Sequence, residues 1–144
     1  MKIFIRYLPG AEPLTIRRQG NWIDLYTYED TDLKAGEYRN ISLGFAMQLP
    51  EGFEAYIVPR SSTFKRYGIM QANSIGIIDN AYCGNEDIWA FPAYATRDVS
   101  IPKGTRICQF RIMPAMMTSF PDIQIETAEE LSGSNRGGFG STGK

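Results

Sequence analysis

The sequence predicts a mostly β protein, folded as a barrel or a sandwich. Apolar and polar residues alternate at the two-residue period of a strand, as in "KIFIRYL" near the start. Turn-forming residues recur about every 8 to 12 residues, which is typical of short antiparallel strands. The one clear helical segment, "SSTFKRYG", is long enough for only one or two turns. A chain of 144 residues of this kind is expected to form one domain.

The first half of the chain contributes three predicted strands. The first has Ile3, Ile5 and Tyr7 on one face and Phe4 on the other. The next two occupy residues 41–49 and 53–58, joined by a turn at "PEG".

The short helix comes next, with a serine as its N-cap and Gly68 as its C-cap. Strands are then expected within "GIMQANSIGIID", "EDIWAFPAY", "RDVSIPKGT" and "RICQFRIMPAM". The segment "TAEELSG" is a candidate for one more helical turn. From residue 132 onward the composition shifts to Gly, Ser, Asn and Arg, which predicts a mobile arm over 132–144 and a folded domain over 1–131.

Composition excludes several classes of function. The net charge of −1 gives no basic field for nucleic acid, and no apolar run approaches the roughly 18 residues that span a bilayer. We therefore expect a cytoplasmic protein that binds neither nucleic acid nor membrane. Cys83 and Cys108 are expected as free thiols. The chain has no His, so any general base must be Asp or Glu.

Two polar segments are typical of phosphate binding. In "VPRSSTFKRYG", Ser61 and Ser62 open the helical turn beside the guanidinium donors of Arg60, although simple N-capping by a serine would produce the same pattern. The Gly-rich end "RGGFGSTGK" can wrap an anion with backbone and side-chain donors, although a disordered terminus has the same composition.

Three further polar residues interrupt apolar strands. Asp79 follows Ile77 and Ile78 and could lie at the floor of a pocket, or could be an ordinary turn residue. Asp24 in "GNWIDLYT" could simply point outward from a half-buried strand. Gln109 in "KGTRICQFRI" needs hydrogen-bond partners if it faces inward.

The order and spacing of these clusters resemble those of the trimeric deoxyuridine triphosphate nucleotidohydrolases, the dUTPases. That family carries five ordered motifs, and each has a counterpart over about residues 20–143. The counterparts are "GNWIDLYT", "PRSS" (59–62), "GIIDNAYCG" (76–84), "GTRICQF" (104–110) and "RGGFGSTG" (136–143). The segments "CQFRIM" and "FPAYATRD" resemble members from Gram-positive bacteria and their phages.

The resemblance implies a jelly-roll-like β-barrel subunit (the dUTPase-like β-clip) of a threefold homotrimer, with three active sites shared between chains. The C-terminal arm would close over a neighbouring site. There Phe139 would stack on the uracil ring, while Arg136, Ser141 and Thr142 would hold the γ-phosphate. The glycines of the arm, Gly138 among them, would let its backbone approach the triphosphate.

The reaction implied is hydrolysis of dUTP to dUMP and pyrophosphate, which limits uracil incorporation into DNA and supplies dUMP for thymidylate synthesis. Asp79 matches the carboxylate that activates the attacking water. Ser62 and Gln109 match phosphate contacts, with Ser61 assisting, and Arg60 matches a brace of the phosphate site. Mg²⁺ would arrive on the triphosphate, with no direct protein ligand and with Asp24 at most an outer-sphere partner.

Specificity for deoxyuridine is also implied by the resemblance. Tyr82 would pack on the deoxyribose and exclude a 2′-OH. A strand pair over 73–78 would read uracil through the Asn73 amide and through the backbone, including Gly76 and Ile78. Two departures from the family pattern are Ile75, where Pro is usual, and "GNE", where Glu86 comes one residue late. Trp89 and Phe91 are interpreted as core residues or as aromatic residues that supplement Phe139.

Three alternatives stay open at the level of sequence. A dCTP deaminase of the same fold, or a bifunctional deaminase and dUTPase, would need Glu86 as its base. A dUTP-binding regulatory protein would act through an unknown protein partner. A non-enzymatic β interaction domain would leave the five motifs without a purpose.

Overall fold

The computed structural model describes residues 1–137, and within them the chain is mostly β, as predicted. The strands are β1 (Phe4–Tyr7), β2 (Ile23–Tyr26), β3 (Thr31–Leu33), β4 (Tyr38–Ser42), β5 (Phe45–Gln48), β6 (Phe53–Pro59), β7 (Ile69–Gln71), β8 (Gly76–Ile78), β9 (Ala90–Ala95), β10 (Val99–Ile101) and β11 (Arg106–Pro114). The helices are α1 (Thr63–Tyr67) and α2 (Met116–Ser119). No helix within residues 1–137 is both long and apolar enough to cross a bilayer.

The strands pair in antiparallel fashion in four sheets. Their orders are β2-β11-β6-β8, β4-β9-β7, β1-β5 and β3-β10. The arrangement is jelly-roll-like, and over residues 1–137 the ladders do not join into one continuous closed barrel. The longest strand, β11, lies between β2 and β6 and so fixes the positions of both.

A cluster of three aromatic rings joins the sheets in the core. Trp89 is fully buried, with its ring centroid 5.1 Å from that of Phe45 and 5.3 Å from that of Phe110. Phe45 belongs to β5 and Phe110 to β11, so the indole bridges two sheets. Burial of each such side chain stabilises the fold by about 1.5–3 kcal/mol. Phe91 is also fully buried, so the interpretation of Trp89 and Phe91 as core residues is confirmed.

One predicted strand is divided in the structure. Residues 41–49 form the end of β4 and all of β5, separated at Gly44, which has a φ of +78°. A Cβ at that position would lie 2.7 Å from Cδ2 of Tyr28. The chain therefore turns there, and β5 pairs with β1 while β4 pairs with β9.

The helix predictions were partly right. Helix α1 ends at Gly68 in the left-handed conformation, as predicted, with the Gly68 N–H donating to Phe64 O at 2.8 Å. Residues 127–133, all of them described, contain bends and no helix, so the predicted turn at "TAEELSG" was wrong. Helix α2, in which Ser119 N donates to Ala115 O and the following Phe120 N donates to Met116 O, was not expected from the sequence.

Candidate functional site

Three charged side chains meet at one end of the four-stranded sheet, and we call them the ionic cluster: Asp24, Arg60 and Arg106. Oδ1 of Asp24 lies 3.0 Å from Nε of Arg60, and Oδ2 lies 3.1 Å from Nη1 of Arg106. The Asp24 side chain is 23% exposed, so solvent screens these pairs only in part. Both oxygens of the carboxylate therefore have a cationic partner.

A bulge in β11 brings Arg106 to this cluster. Arg106 lies opposite Tyr26 and Cys108 lies opposite Leu25, so two residues of β11 advance against one residue of β2. Ile107, the extra residue, is fully buried beside Cys108. The bulge thus leaves Arg106 on the outer face, which Asp24 and Tyr26 also share by the two-residue period of a strand.

Gln109 lies on the same face, directly opposite Asp24. It is half-buried, and its Nε2 donates to Pro59 O over 3.4 Å. The partner that a partly buried amide requires is thus supplied by the main chain at the end of β6.

The segment that leads into α1 is held by a threonine. Oγ1 of Thr63, which is fully buried, accepts from Arg60 N at 3.0 Å and donates to Ile107 O at 2.6 Å. Ser62 occupies the N-cap position, which confirms the predicted serine N-cap, but its side chain makes no capping hydrogen bond. Ser61 is exposed and Ser62 half-exposed beside the ionic cluster.

Asp79 lies in the segment after β8, and we call residues 79–88 the Asp79 loop. Oδ1 of Asp79 accepts from Ala81 N at 2.8 Å, and Tyr82 N donates to Asp79 O at 3.0 Å, which together make a tight Asx-type turn. The Asp79 side chain is exposed. Tyr82 is 40% exposed and its hydroxyl donates to Ile88 O at 3.2 Å.

The segment before Asp79 connects two sheets. Strand β7 pairs with β9, whereas β8 pairs with β6, so the predicted strand pair over 73–78 was wrong. Asn73 is exposed, and Ser74 has a φ of +62°. Gly76 is buried, and a Cβ there would lie 3.1 Å from Nε2 of Gln71. Ile78 is half-buried at the end of β8.

A cleft of about 420 Å³ lies between α1 and β7. Arg60, Ser61, Gln71 and Ser74 are among the residues that line it. The start of the 73–78 segment therefore lies close to the ionic cluster in the same chain.

Asp79 does not lie close to that cluster in the same chain. Ile78 is opposite Ala55 on β6, and Arg60 comes after the other end of that strand. Four strand residues lie between Ala55 and Arg60, so five steps at the usual rise separate the two by roughly 17 Å. One chain thus brings Asp24, Arg60, Gln109, Ser61 and Ser62 together, and holds Asp79 and Tyr82 apart from them.

Two residues with clear structural roles here were missed from the sequence. Arg106 was inside the quoted segment "GTRICQF", and its charge beside a motif was the available signal. Asn80, next to Asp79, carried no local signal, because its partners are about 30 residues away in the chain.

The two cysteines are free thiols, as expected. Cys83 is exposed in the Asp79 loop, whereas Cys108 is fully buried in β11. Burial raises the pKa of the Cys108 thiol far above its ordinary range, and the nearby Asp24 carboxylate raises it further.

The C-terminal candidates are only partly within the described residues. Arg136 is exposed. Gly138, Phe139, Ser141 and Thr142 lie outside the described residues, so their expected contacts stay predictions.

Comparison with known proteins identifies the family. The family model described as dUTPase matches residues 15–143. The SPbeta prophage-derived deoxyuridine 5′-triphosphate nucleotidohydrolase of Bacillus subtilis is 49% identical over 144 residues, covering 99% of each chain.

Solved structures agree on the fold. A mutant Staphylococcus bacteriophage 80alpha dUTPase with dUpNHpp superimposes with a TM-score of 0.77 at 19% identity, covering 99% of each chain. A mutant dUTPase from phage phi11 of S. aureus, described with a structural Mg(II) ion, has a TM-score of 0.73 at 17% identity, with 90% of this chain and 98% of that chain covered. The match over nearly the whole length, together with the five ordered motifs, shows that the chain belongs to the dUTPase family.

Proposed function

We propose that this protein hydrolyses dUTP to dUMP and pyrophosphate as a homotrimer whose active sites are each assembled from neighbouring chains. The observation that carries this proposal is the separation, within one chain, of the exposed Asp79 carboxylate from the ionic cluster. A neighbouring copy would bring the two halves together. The reaction would keep uracil out of DNA and supply dUMP for thymidylate synthesis.

An exposed apolar row supports assembly with other copies of the chain. Tyr38 and Met70 both lie opposite Tyr94, so the three side chains cross the sheet β4-β9-β7 in one line. Their exposed fractions are 59%, 52% and 44% for Tyr38, Met70 and Tyr94. A contiguous row of large apolar side chains on a sheet face is typical of an interaction surface.

In the proposed reaction a water attacks the α-phosphorus in line. The new bond forms between the water oxygen and phosphorus as the bond to the bridging α,β-oxygen breaks, and pyrophosphate leaves with that oxygen. Asp79 orients the water and takes its proton, a role that falls to a carboxylate in a chain without His. Positioning and neutralisation of charge would supply most of the rate enhancement.

The charge of the phosphates would be met by the other half of the site. The Gln109 amide and the Ser62 hydroxyl would donate to phosphate oxygens, with Ser61 assisting. Arg60 would brace these groups, since Asp24 fixes its Nε and its Nη1 donates to Arg106 O over 3.4 Å. Donors held before the substrate binds need no reorganisation during the reaction.

Mg²⁺ would enter as part of the substrate, bound to the triphosphate, and would neutralise phosphate charge. Both oxygens of Asp24 are already paired with guanidinium groups, so this carboxylate does not fit a direct ligand role. A water-mediated contact from Asp24 is the role left for it. Residues 1–137 contain no group of three or more Cys, Asp or Glu side chains that could hold the ion.

Selectivity for deoxyuridine would depend on the Asp79 loop and the segment before it. The Tyr82 ring would pack on the deoxyribose and leave no space for a 2′-OH. Asn73, with backbone groups of Gly76 and Ile78, would read the uracil edge, and a thymine methyl would clash there. Overpacking a rigid pocket costs roughly 1–3 kcal/mol or more, so exclusion by shape is an effective filter.

The C-terminal arm would complete the site. We divide the chain into a β domain over 1–131 and an arm over 132–144 that closes on a neighbouring site. Arg136, Ser141 and Thr142 would bind the γ-phosphate, Phe139 would stack on the base, and Gly138 would permit close backbone approach. We place this activity in the cytoplasm, where Cys83 and Cys108 would stay reduced.

The test is pyrophosphate release from each deoxynucleoside triphosphate and from UTP, with Mg²⁺. Turnover of dUTP, with at most trace release from dTTP, dCTP and UTP, supports the proposal. Ammonia release from dCTP without pyrophosphate would move the chain to the deaminases. Tight dUTP binding without turnover would indicate a regulatory protein instead.

A further inference from the structure

We infer that Asn80 is a positioning residue, which sets the orientation of the Asp79 carboxylate by fastening the Asp79 loop to the turn between β5 and β6. The inference rests on the function proposed for Asp79. Asn80 itself would touch neither substrate nor water.

The side chain of Asn80 makes two long-range hydrogen bonds. Its Nδ2 donates to Pro50 O at 2.8 Å and to Leu49 O at 3.3 Å. Both carbonyls belong to the turn between β5 and β6, about 30 residues earlier in the chain. An amide nitrogen has two protons, so this group is fully used.

Two other contacts join the Asp79 loop to the sheet β1-β5. Directly after the loop, Trp89 N donates to Phe45 O at 2.9 Å. In the middle Nη1 of Arg6, on β1, donates to Asn85 O at 3.1 Å, although this contact is exposed to solvent. Asn80 therefore makes the only side-chain attachment among these that is both doubled and partly buried.

The attachment acts on Asp79 through the backbone. Asp79 and Asn80 share a peptide unit, and the Asx-type turn over residues 79–82 ties the carboxylate to that unit. The Asn80 side chain is half-buried and bonded to the β5–β6 turn, whereas the Asp79 side chain is exposed. Rotation of the shared peptide would thus displace the carboxylate, and an error of about 1 Å in a reacting group lowers a rate by up to about a hundredfold.

Asn80→Ala and Asn80→Asp test this, with Asn85→Asp as the matched control. Asn80→Ala removes the donors, and Asn80→Asp turns a carboxylate towards two carbonyl oxygens. Asn85→Asp adds the same charge in the same loop and leaves the main-chain carbonyl that accepts from Arg6. We expect kcat for dUTP to fall roughly tenfold to a hundredfold in both Asn80 variants, with KM changed less than about threefold. Asn85→Asp should stay within about twofold of the wild type.

A second background separates positioning from folding. In Asp79→Asn the carboxylate is already gone, so adding Asn80→Ala should lower the residual kcat less than about twofold. A purely structural role would lower kcat by the same factor in both backgrounds. Circular dichroism and size-exclusion chromatography give the fraction of folded, assembled protein for each variant.

The inference is overturned if Asn80→Ala keeps kcat within twofold of the wild type. It is overturned equally by matching losses in the two backgrounds, or by a loss in Asn85→Asp as large as that in Asn80→Asp. A wild-type protein that releases no pyrophosphate from dUTP would instead overturn the proposed function, and the inference with it.

Discussion

The carboxylates of Asp24, in the ionic cluster, and Asp79, in the Asp79 loop, differ in exposure and in their partners. Asp24 lies within a strand, is 23% exposed and is paired through both oxygens with arginines. Asp79 lies in a turn, is exposed, and within residues 1–137 accepts a hydrogen bond through Oδ1 alone. Each oxygen of Asp24 thus has a cationic partner, whereas Oδ2 of Asp79 makes no hydrogen bond within residues 1–137 and is placed to receive a proton from water.

The two regions also differ in what holds them. Strand ladders and a buried threonine fix the ionic cluster, so its donors are organised before any substrate arrives. The Asp79 loop depends on a few individual hydrogen bonds to β1 and to the turn between β5 and β6. Damage to the cluster should therefore reduce stability as well as rate, and damage at Asp79 should reduce rate alone.

The largest effect is expected for Asp79→Asn. Loss of the base should lower kcat for dUTP by roughly a hundredfold to ten-thousandfold. Because the side chain is exposed, its replacement leaves no buried group unpaired, and the midpoint of urea unfolding should stay close to that of the wild type. Steady-state pyrophosphate release and urea unfolding measure the two quantities. A kcat within threefold of the wild type would remove Asp79 from its proposed role.

Gly44→Ala tests the backbone that anchors the end of the Asp79 loop. Trp89, directly after the loop, is hydrogen-bonded to Leu43 and Phe45 on either side of Gly44. Gly36→Ala is the matched control, since Gly36 also has a positive φ but has nothing within 4 Å of an added Cβ. Both variants introduce backbone strain, and Gly44→Ala adds a clash with Tyr28. We expect Gly44→Ala to lose about 1–3 kcal/mol more free energy of unfolding than Gly36→Ala. Equal losses in urea unfolding would show that Tyr28 moves aside freely.

Asp24→Ala should destabilise the fold and slow the enzyme together. Removing the carboxylate leaves two partly buried guanidinium groups without their shared partner, which costs about 1–3 kcal/mol. Asp24→Asn keeps an acceptor oxygen and should lose less. Urea unfolding and dUTP turnover are measured on the same samples. Unchanged stability in Asp24→Ala would mean that the ion pairs contribute nothing to the fold.

The smallest effect on the fold is expected at the thiols of Cys83, in the Asp79 loop, and Cys108, in β11. Because burial raises the pKa of Cys108, the native protein at pH 8 should react with iodoacetamide at Cys83 and not at Cys108. Cys83→Ser should change the free energy of unfolding by less than about 0.5 kcal/mol. Peptide mass spectrometry before and after unfolding locates the label. Rapid native labelling of Cys108 would show that β11 opens readily.

Two members of the ionic cluster could be singled out from sequence, since Asp24 and Arg60 fall in two of the ordered motifs. The pairing of Arg106 with Asp24 could not, because it depends on a bulge that the strand period does not reveal. The break of 41–49 at Gly44 accompanies a positive φ and the separate pairing of β4 with β9 and of β5 with β1, which the local sequence does not reveal.

The candidate residues of the Asp79 loop could be named from the sequence, but the strand pairing and hydrogen bonds that hold the loop could not. Local signals singled out Asp79, whereas Tyr82 and the strand pair over 73–78 were implied by the family resemblance. Long-range pairing of β7 with β9 and of β8 with β6 determined the outcome instead. Asn80 was missed for the same reason, since its partners lie in the β5–β6 turn.

The central claim is that Asp79 and the Arg60–Gln109 half of an active site come from different chains. The most direct test is to co-express Asp79→Asn and Gln109→Ala chains with different tags, purify the mixed assemblies and measure pyrophosphate release from dUTP. We predict recovery to about a third of wild-type activity in the purified mixed trimers, because one of the three sites in each then receives both intact residues. Activity no greater than the average of the two parent variants would contradict the account, since it would place both residues of each site in one chain.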